Sequence, residues 1–137
     1  MIRLLIVEDQ PVVRSGLHVR LNAEEDLSVI GEAPDCRSAL NLAQHLIPDV
    51  LLIDGDMPFV NYSATSQALH EIDPGAMIVV LSFYENWMAR AQRESPNIAA
   101  WVTKSIPADT LLATIRQVVQ SKSDSIKEEM QNAPRRF

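Results

Sequence analysis

Four residues of a type that can do chemistry each close a short apolar run: Asp9 ends LLIVED, Asp54 ends DVLLID, Ser82 ends MIVVLS and Lys104 ends AAWVTK. Glu8 stands beside Asp9, so the inventory is a carboxylate pair, a lone carboxylate, a hydroxyl and an amine. That set suits a divalent cation and a transferable phosphoryl group. Mg²⁺ takes oxygen ligands and keeps several waters, so few protein ligands suffice. A carboxylate accepts a phosphoryl group when the donor is held in line and its charge is neutralised, here by Mg²⁺ and Lys104, with Ser82 donating to a phosphoryl oxygen. Taken singly, each residue has a plainer reading. Glu8 and Asp9 suit the start of a helix, Lys104 the surface, and Ser82 a turn. Taken together with Asp54, the acid pair reads as a metal site, because clustered carboxylates raise one another's pKa and a cation relieves the repulsion.

These residues need a scaffold that brings their strand ends together. Strand-like runs fall at about 2–8, 28–33, 49–54, 76–82 and 98–103, and the third and fourth are nearly all apolar, as strands buried on both faces are. Between them the spacing is helical. Val13, Leu17 and Leu21 form one stripe, Leu40, Ala43 and Ile47 another, and Ala64, Ala68 and Ile72 a stripe of small residues. Leu111, Leu112, Ile115, Val118 and Val119 give the strongest amphipathic pattern. Pro11 and Pro107 stand where first helical turns begin. The segment 85–95 is the weakest helix, with Trp87, Met88 and Ala91 as its apolar stripe and Ser95-Pro96 as its end. Strict alternation predicts an α/β fold, a doubly wound five-stranded parallel sheet with helices on both faces. In such sheets ligands bind beyond the carboxyl ends of the strands, where the four residues fall.

Composition narrows the function classes. The chain has 137 residues, 47% of them hydrophobic, which suits one globular domain rather than a disordered chain. Residues 1–121 carry 15 acidic and 8 basic side chains, a balance of −7, which argues against a surface that tracks nucleic-acid phosphates. The single cysteine, Cys36, forms no internal disulfide and reads as a small, partly buried helix residue. No run is long enough to span a bilayer, and Glu8-Asp9 interrupts MIRLLIV before it makes a signal peptide, so a cytoplasmic protein without a membrane partner is expected. After about residue 121 the character changes. The domain is read as 1–121, and the polar stretch 122–137 as a weak helix or an interdomain linker, with Ser125 and Glu128 spaced as a capping box.

With these residues in place, the chain resembles a response-regulator receiver domain (CheY-like, flavodoxin-like) over roughly residues 2–120. The resemblance rests on Glu8-Asp9, on DVLLIDGDMP with Asp54 and Met57-Pro58, on Ser82 and on Lys104, all at matching spacing. IRLLIVEDQPVVRSGL and ADTLLATIRQVV are similar to the NarL/LuxR branch of transcriptional regulators. The resemblance implies Asp54 as phosphoacceptor from a cognate histidine kinase. It implies Mg²⁺ held by Asp9, Asp54 and the backbone carbonyl of Asp56, with Glu8 acting through water. It also implies a switch in which Ser82 moves to the phosphoryl group, Trp101 responds, and the surface of the fourth helix, fifth strand and fifth helix changes partners. Such a protein is a self-phosphorylating and self-dephosphorylating switch, not a turnover enzyme.

Several positions depart from the family pattern. Phe83 follows Ser82 where a small residue is usual, and either gates phosphoryl donors or turns into a hydrophobic patch. Tyr62 replaces the glycine expected after Asn61, which gives the loop after the acceptor strand a different shape. Trp101 is larger than the usual Tyr or Phe, and is either the switch or a half-exposed packing residue. Pro96, Asn97 and Ala100 replace small and glycine residues, with Asn97 able to adopt a left-handed turn, and Gln92 replaces a leucine. Asp56 and Tyr84 are expected to set the phosphate lifetime. Three outputs compete: a transcription factor whose helix-turn-helix domain lies outside this chain and which alone touches DNA, a free-standing receiver acting by protein contact, and a pseudo-receiver that is never phosphorylated. An aspartyl phosphatase with Asp56 as acid/base ranks below these, because its nucleophile is expected on the first strand. Phosphorylation is expected to favour a homodimer.

Overall fold

The computed structural model describes residues 1–58, 60–83, 95, 97–105 and 107–132. Five strands are present: β1 (Ile2–Val7), β2 (Leu27–Ala33), β3 (Val50–Asp54), β4 (Met77–Ser82) and β5 (Ile98–Thr103). Helices α1 (Pro11–Asn22), α2 (Cys36–Leu46) and α3 (Tyr62–Ile72) follow the first three strands, and α4 (Ala108–Asn132) follows β5. The helix expected over 85–95 lies outside the described residues except for Ser95, as do Tyr84, Gln92, Pro96 and residues 133–137.

All strand pairs are parallel, and the order is β2-β1-β3-β4-β5. The apolar runs explain the order. β3 is buried along its whole length and takes the centre, whereas β2, at one edge, is buried only at Leu27 and Ala33. Strand side chains alternate between faces, and here the alternation sorts the core into two layers. Leu4, Ile6, Val50, Leu52, Val79 and Leu81 meet Leu21 of α1 and Leu112 and Ile115 of α4. Leu5, Val7, Leu51, Ile53, Ile78 and Val80 meet Ala39 and Ala43 of α2 and Leu69 of α3. Each fully buried aliphatic side chain contributes about 1.5–3 kcal/mol, so the central strands dominate the stability.

Local sequence sets the helix ends. Pro11 occupies the first position of α1, and the Glu8 Oε1 accepts from the Gln10 N–H at 3.0 Å in place of a side-chain cap from Gln10 itself. Asp35 caps α2 by accepting from the Ser38 N–H at 2.7 Å, and Asn61 caps α3 by accepting from the Ala64 N–H at 3.0 Å.

Three stripes differ from the sequence expectation. Val13 is 42% exposed, at the rim of α1. Ile47 is 63% exposed and left-handed (φ 51°), because Pro48 stops α2 at Leu46. In α3 the buried face is Thr65, Ser66 and Leu69, while Ala64 is exposed and Ala68 and Ile72 are half-buried. Ser66 is drawn inward by a bond, since its Oγ accepts from the Asn97 N–H at 3.1 Å.

Candidate functional site

The strand order reverses beside β1: its neighbour β2 lies to one side and β3 to the other. Helices therefore leave the sheet on opposite faces there and open a crevice at the carboxyl edge. β1 delivers Glu8 and Asp9 to one wall and β3 delivers Asp54 to the floor. Carboxylate oxygens of these three residues lie within 4.8 Å of one another. Glu8 is 1% exposed and Asp54 7%. Burial, and then the hydrogen bond to Asp54, push the Glu8 carboxyl up to about 7. The donor set is all oxygen, and two ligands of one Mg²⁺ lie about 3–4 Å apart, so a small oxygen-seeking dication fits these residues with minor side-chain adjustment. Glu8 also supports α1 through its bond to the Gln10 N–H, so its helix-capping reading and its place in the acid cluster both hold.

The other wall comes from β4 and β5. The Lys104 N–H donates to the Ser82 carbonyl at 3.2 Å and the Gly55 N–H to the Leu81 carbonyl at 2.6 Å, so the three loops are stitched at their roots. Lys104 Nζ lies 2.5 Å from Asp54 Oδ1 and 3.0 Å from Asp56 Oδ2. The Asp56 N–H donates to the same Asp54 Oδ1 at 2.9 Å. Ser82 Oγ donates to Asp56 Oδ1 at 2.7 Å, and the Phe83 N–H to Asp56 Oδ2 at 3.1 Å. Burial pulls the Lys104 ammonium down, but the two carboxylates outweigh it and hold it above its ordinary value. Burial likewise pushes Asp56 up, and is outweighed by Ser82, Lys104 and the Phe83 N–H, leaving it below the usual range. The Phe83 ring is 62% exposed, with Lys104 Nζ 5.3 Å from its centroid. It lines a cavity of about 460 Å³ whose walls run from Glu8, Asp54 and Lys104 to the apolar Leu17, Val102 and Leu111.

Residues 62, 97 and 101 carry contacts that spacing could not reveal. Tyr62 opens α3 and its hydroxyl donates to the Gly55 carbonyl at 2.6 Å. Burial, reinforced by the Asp56 and Asp54 charges, raises the Tyr62 phenol well above its usual value. Trp101 is half-buried and meets Tyr62 edge-on, with ring centroids 5.1 Å apart and planes at 67°. Its Nε1 has no hydrogen-bond partner among the described residues. Asn97, although able to adopt a left-handed turn, does not do so, since Ile47 is the sole positive-φ non-glycine among the described residues. It is 2% exposed and works as a brace: Nδ2 donates to the Ala76 carbonyl at 2.7 Å, and Oδ1 pairs with His70 Nδ1 at 3.0 Å. An asparagine just before a strand was the only sequence signal for this. Tyr84 falls outside the described residues.

A doubly wound parallel sheet with an acidic crevice, a hydroxyl and an amine at its carboxyl edge defines the class to which the comparisons with known proteins then attach a family. Residues 4–116 match the response regulator receiver domain, and the chain belongs to that family. The transcriptional regulatory protein LiaR of Bacillus subtilis is 40% identical over 87 residues, which cover 63% of this chain and 41% of LiaR. The nitrate/nitrite response regulator NarL of Escherichia coli is 28% identical over 83% of this chain and 53% of NarL. The crystal structure of a LuxR-family two-component response regulator from Aurantimonas superposes with a TM-score of 0.77 at 22% identity, covering 95% of this chain and 98% of that one. The chain spans about half the length of the curated relatives it matches. It is a response-regulator receiver, and the relatives it is similar to include transcriptional regulators such as LiaR and NarL. Receiver domains bind Mg²⁺ at an acidic pocket and interact with histidine kinases, and in transcriptional regulators DNA binding is by a separate domain. No helix among the described residues is long and apolar enough to cross a membrane.

Proposed function

We propose that Asp54 is the phosphoacceptor of this receiver and that the chain works as a phosphorylation switch in the cytoplasm. The observation that carries this is a nearly buried carboxylate flanked on one side by the acid pair Glu8-Asp9 and on the other by Lys104 at 2.5 Å. An Asp54 oxygen attacks the phosphorus of a histidine-kinase phosphohistidine, and the bond to the donor nitrogen breaks with its electron pair leaving on the imidazole. Lys104 stays beside Asp54 and offsets the charge of the incoming group, and Ser82 supplies a hydrogen bond to it. Asp9, Asp54, the backbone carbonyl of Asp56 and, through water, Glu8 would hold Mg²⁺, which supplies further charge neutralisation at the phosphoryl oxygens when bound.

Ser82 and Trp101 form the switch. The edge-on contact of Trp101 with Tyr62, whose hydroxyl holds the carbonyl next to the acceptor, supports a path from site to surface. Phe83, exposed at the cavity mouth, screens phosphoryl donors, and Asp56 and Tyr84 set the phosphate lifetime. The output is regulation of transcription through a helix-turn-helix domain outside this chain, with a homodimer favoured by phosphorylation.

Incubation with Mg²⁺ and acetyl phosphate tests the centre of this reading, with intact mass and size measured before and after. Wild type gains the mass of one phosphate and Asp54→Asn gains none. No gain on wild type defeats the phosphoacceptor role, and gain that survives in Asp54→Asn defeats the assignment of the site.

A further inference from the structure

The Asp56 side chain is 17% exposed, and its carboxylate is held by donors from two other strand ends. Ser82 Oγ reaches Oδ1, while the Phe83 N–H and Lys104 Nζ reach Oδ2, all between 2.7 and 3.1 Å. A hydroxyl, a backbone N–H and an ammonium converging on one group form an anion cage. The cage stands against the acceptor, because Lys104 Nζ also lies 2.5 Å from Asp54 Oδ1. A phosphoryl group joined to an Asp54 oxygen would put its own anionic oxygens within reach of these donors. Two anions on one set of donors repel each other, so one must leave.

We propose that Asp56 is a built-in competitor for the phosphoryl group: in the resting protein its carboxylate fills the cage of Ser82, Phe83 N–H and Lys104, and phosphorylation is an exchange of anions in that cage. The inference rests on Asp54 as acceptor and deepens that reading. The covalent step is unchanged. One Asp54 oxygen bonds to phosphorus as the donor's bond breaks and the leaving group departs with its electron pair. The exchange moves three hydrogen bonds from carboxylate to phosphoryl oxygens and moves no proton. Its effect falls on phosphate uptake, which separates it from a role in phosphate lifetime. The backbone of Asp56 keeps its own anchor, the N–H bond to Asp54 Oδ1, so the loop stays attached when the side chain is shortened.

The test uses the full chain with Mg²⁺ and acetyl phosphate. Initial phosphate uptake is followed by intact mass for wild type, Asp56→Ala and Asp56→Asn, and decay is measured separately. Asp56→Ala is expected to take up phosphate about tenfold faster, the rate equivalent of one net hydrogen bond, with Asp56→Asn between the two. Without a donor, the Phe83 amide proton in ¹H–¹⁵N spectra is expected to move upfield in Asp56→Ala, since it loses a charged acceptor. Equal or slower uptake by Asp56→Ala overturns the inference, and so does a Phe83 amide that does not move. Failure of all three proteins to gain mass overturns Asp54 as acceptor instead.

Discussion

Gly55, one residue after the acceptor, sits where no side chain fits. A Cβ there would lie 2.6 Å from the Tyr62 hydroxyl and 2.7 Å from Val80 Cγ1. The same close approach lets the Tyr62 hydroxyl reach the Gly55 carbonyl. Gly55→Ala is expected to destabilise the domain by about 1–3 kcal/mol in urea unfolding, the usual cost of overpacking. Tyr62→Phe alone costs about 0.5–1.5 kcal/mol, the net worth of one hydrogen bond. The double variant is more stable than the sum of the two predicts, because removing the hydroxyl clears one of the two collisions; strict additivity would show that Tyr62 does not press on Gly55. The site residues were legible singly in the sequence because each ends an apolar run. Their partners were not: that Ser82, Phe83 and Lys104 grip Asp56 depends on three loops whose separation in sequence says nothing of their approach.

At the level of elements, α4 is moored to the turn between α1 and β2 by Arg116, whose Nε lies 2.8 Å from Asp26 Oδ2 and whose Nη2 lies 3.0 Å from Glu24 Oε1. The hydrogen bonds from Arg116 hold both carboxyls below their ordinary values of 4.5 for Glu24 and 3.8 for Asp26. A carboxyl with a depressed folded pKa stabilises the fold above its unfolded pKa, and that contribution is lost as pH falls through the folded value. The loss therefore begins near pH 4.5 and deepens below 3.8. Arg116→Met is expected to lower Tm slightly at pH 6 and to flatten the fall of Tm below pH 4.5, and added salt narrows the gap because these charges face solvent. An unchanged acid slope in Arg116→Met would show that the ion pairs add nothing. Strand positions and the amphipathic face of α4 were legible from periodicity. The true face of α3 was not, since Ser66 is pulled inward by Asn97, a residue 31 positions away.

For the whole molecule, the acid cluster ties folding to cation binding. A cation that binds the folded chain alone raises its stability by about 2.7 kcal/mol at a hundredfold excess over Kd. Mg²⁺ is therefore expected to raise Tm by roughly 5–10 °C at saturation, and by far less in Asp9→Asn. An equal rise in that variant would remove Asp9 from the site. The two-layer core gives the cluster a rigid base, because Ile53 and Val7, beneath the carboxylates, are fully or almost fully buried. The acidic body, with Glu8, Asp9, Asp54 and Asp56 at the carboxyl edge of the sheet, suits a cation rather than a nucleic acid.

By itself the sequence determined the alternation of strands and helices, the parallel doubly wound sheet and the identity of the residues at its carboxyl edge. Those follow from local periodicity and from the burial each run requires. Tertiary structure alone decided which side chains complete one another: the brace at Asn97, the Tyr62–Trp101 contact and the carboxylate of Asp56 in the cage beside the acceptor. The physical reason is range. Periodicity records what each segment must bury, whereas hydrogen bonds of 2.7–3.1 Å between residues 21 or more positions apart exist only once the sheet has fixed its order.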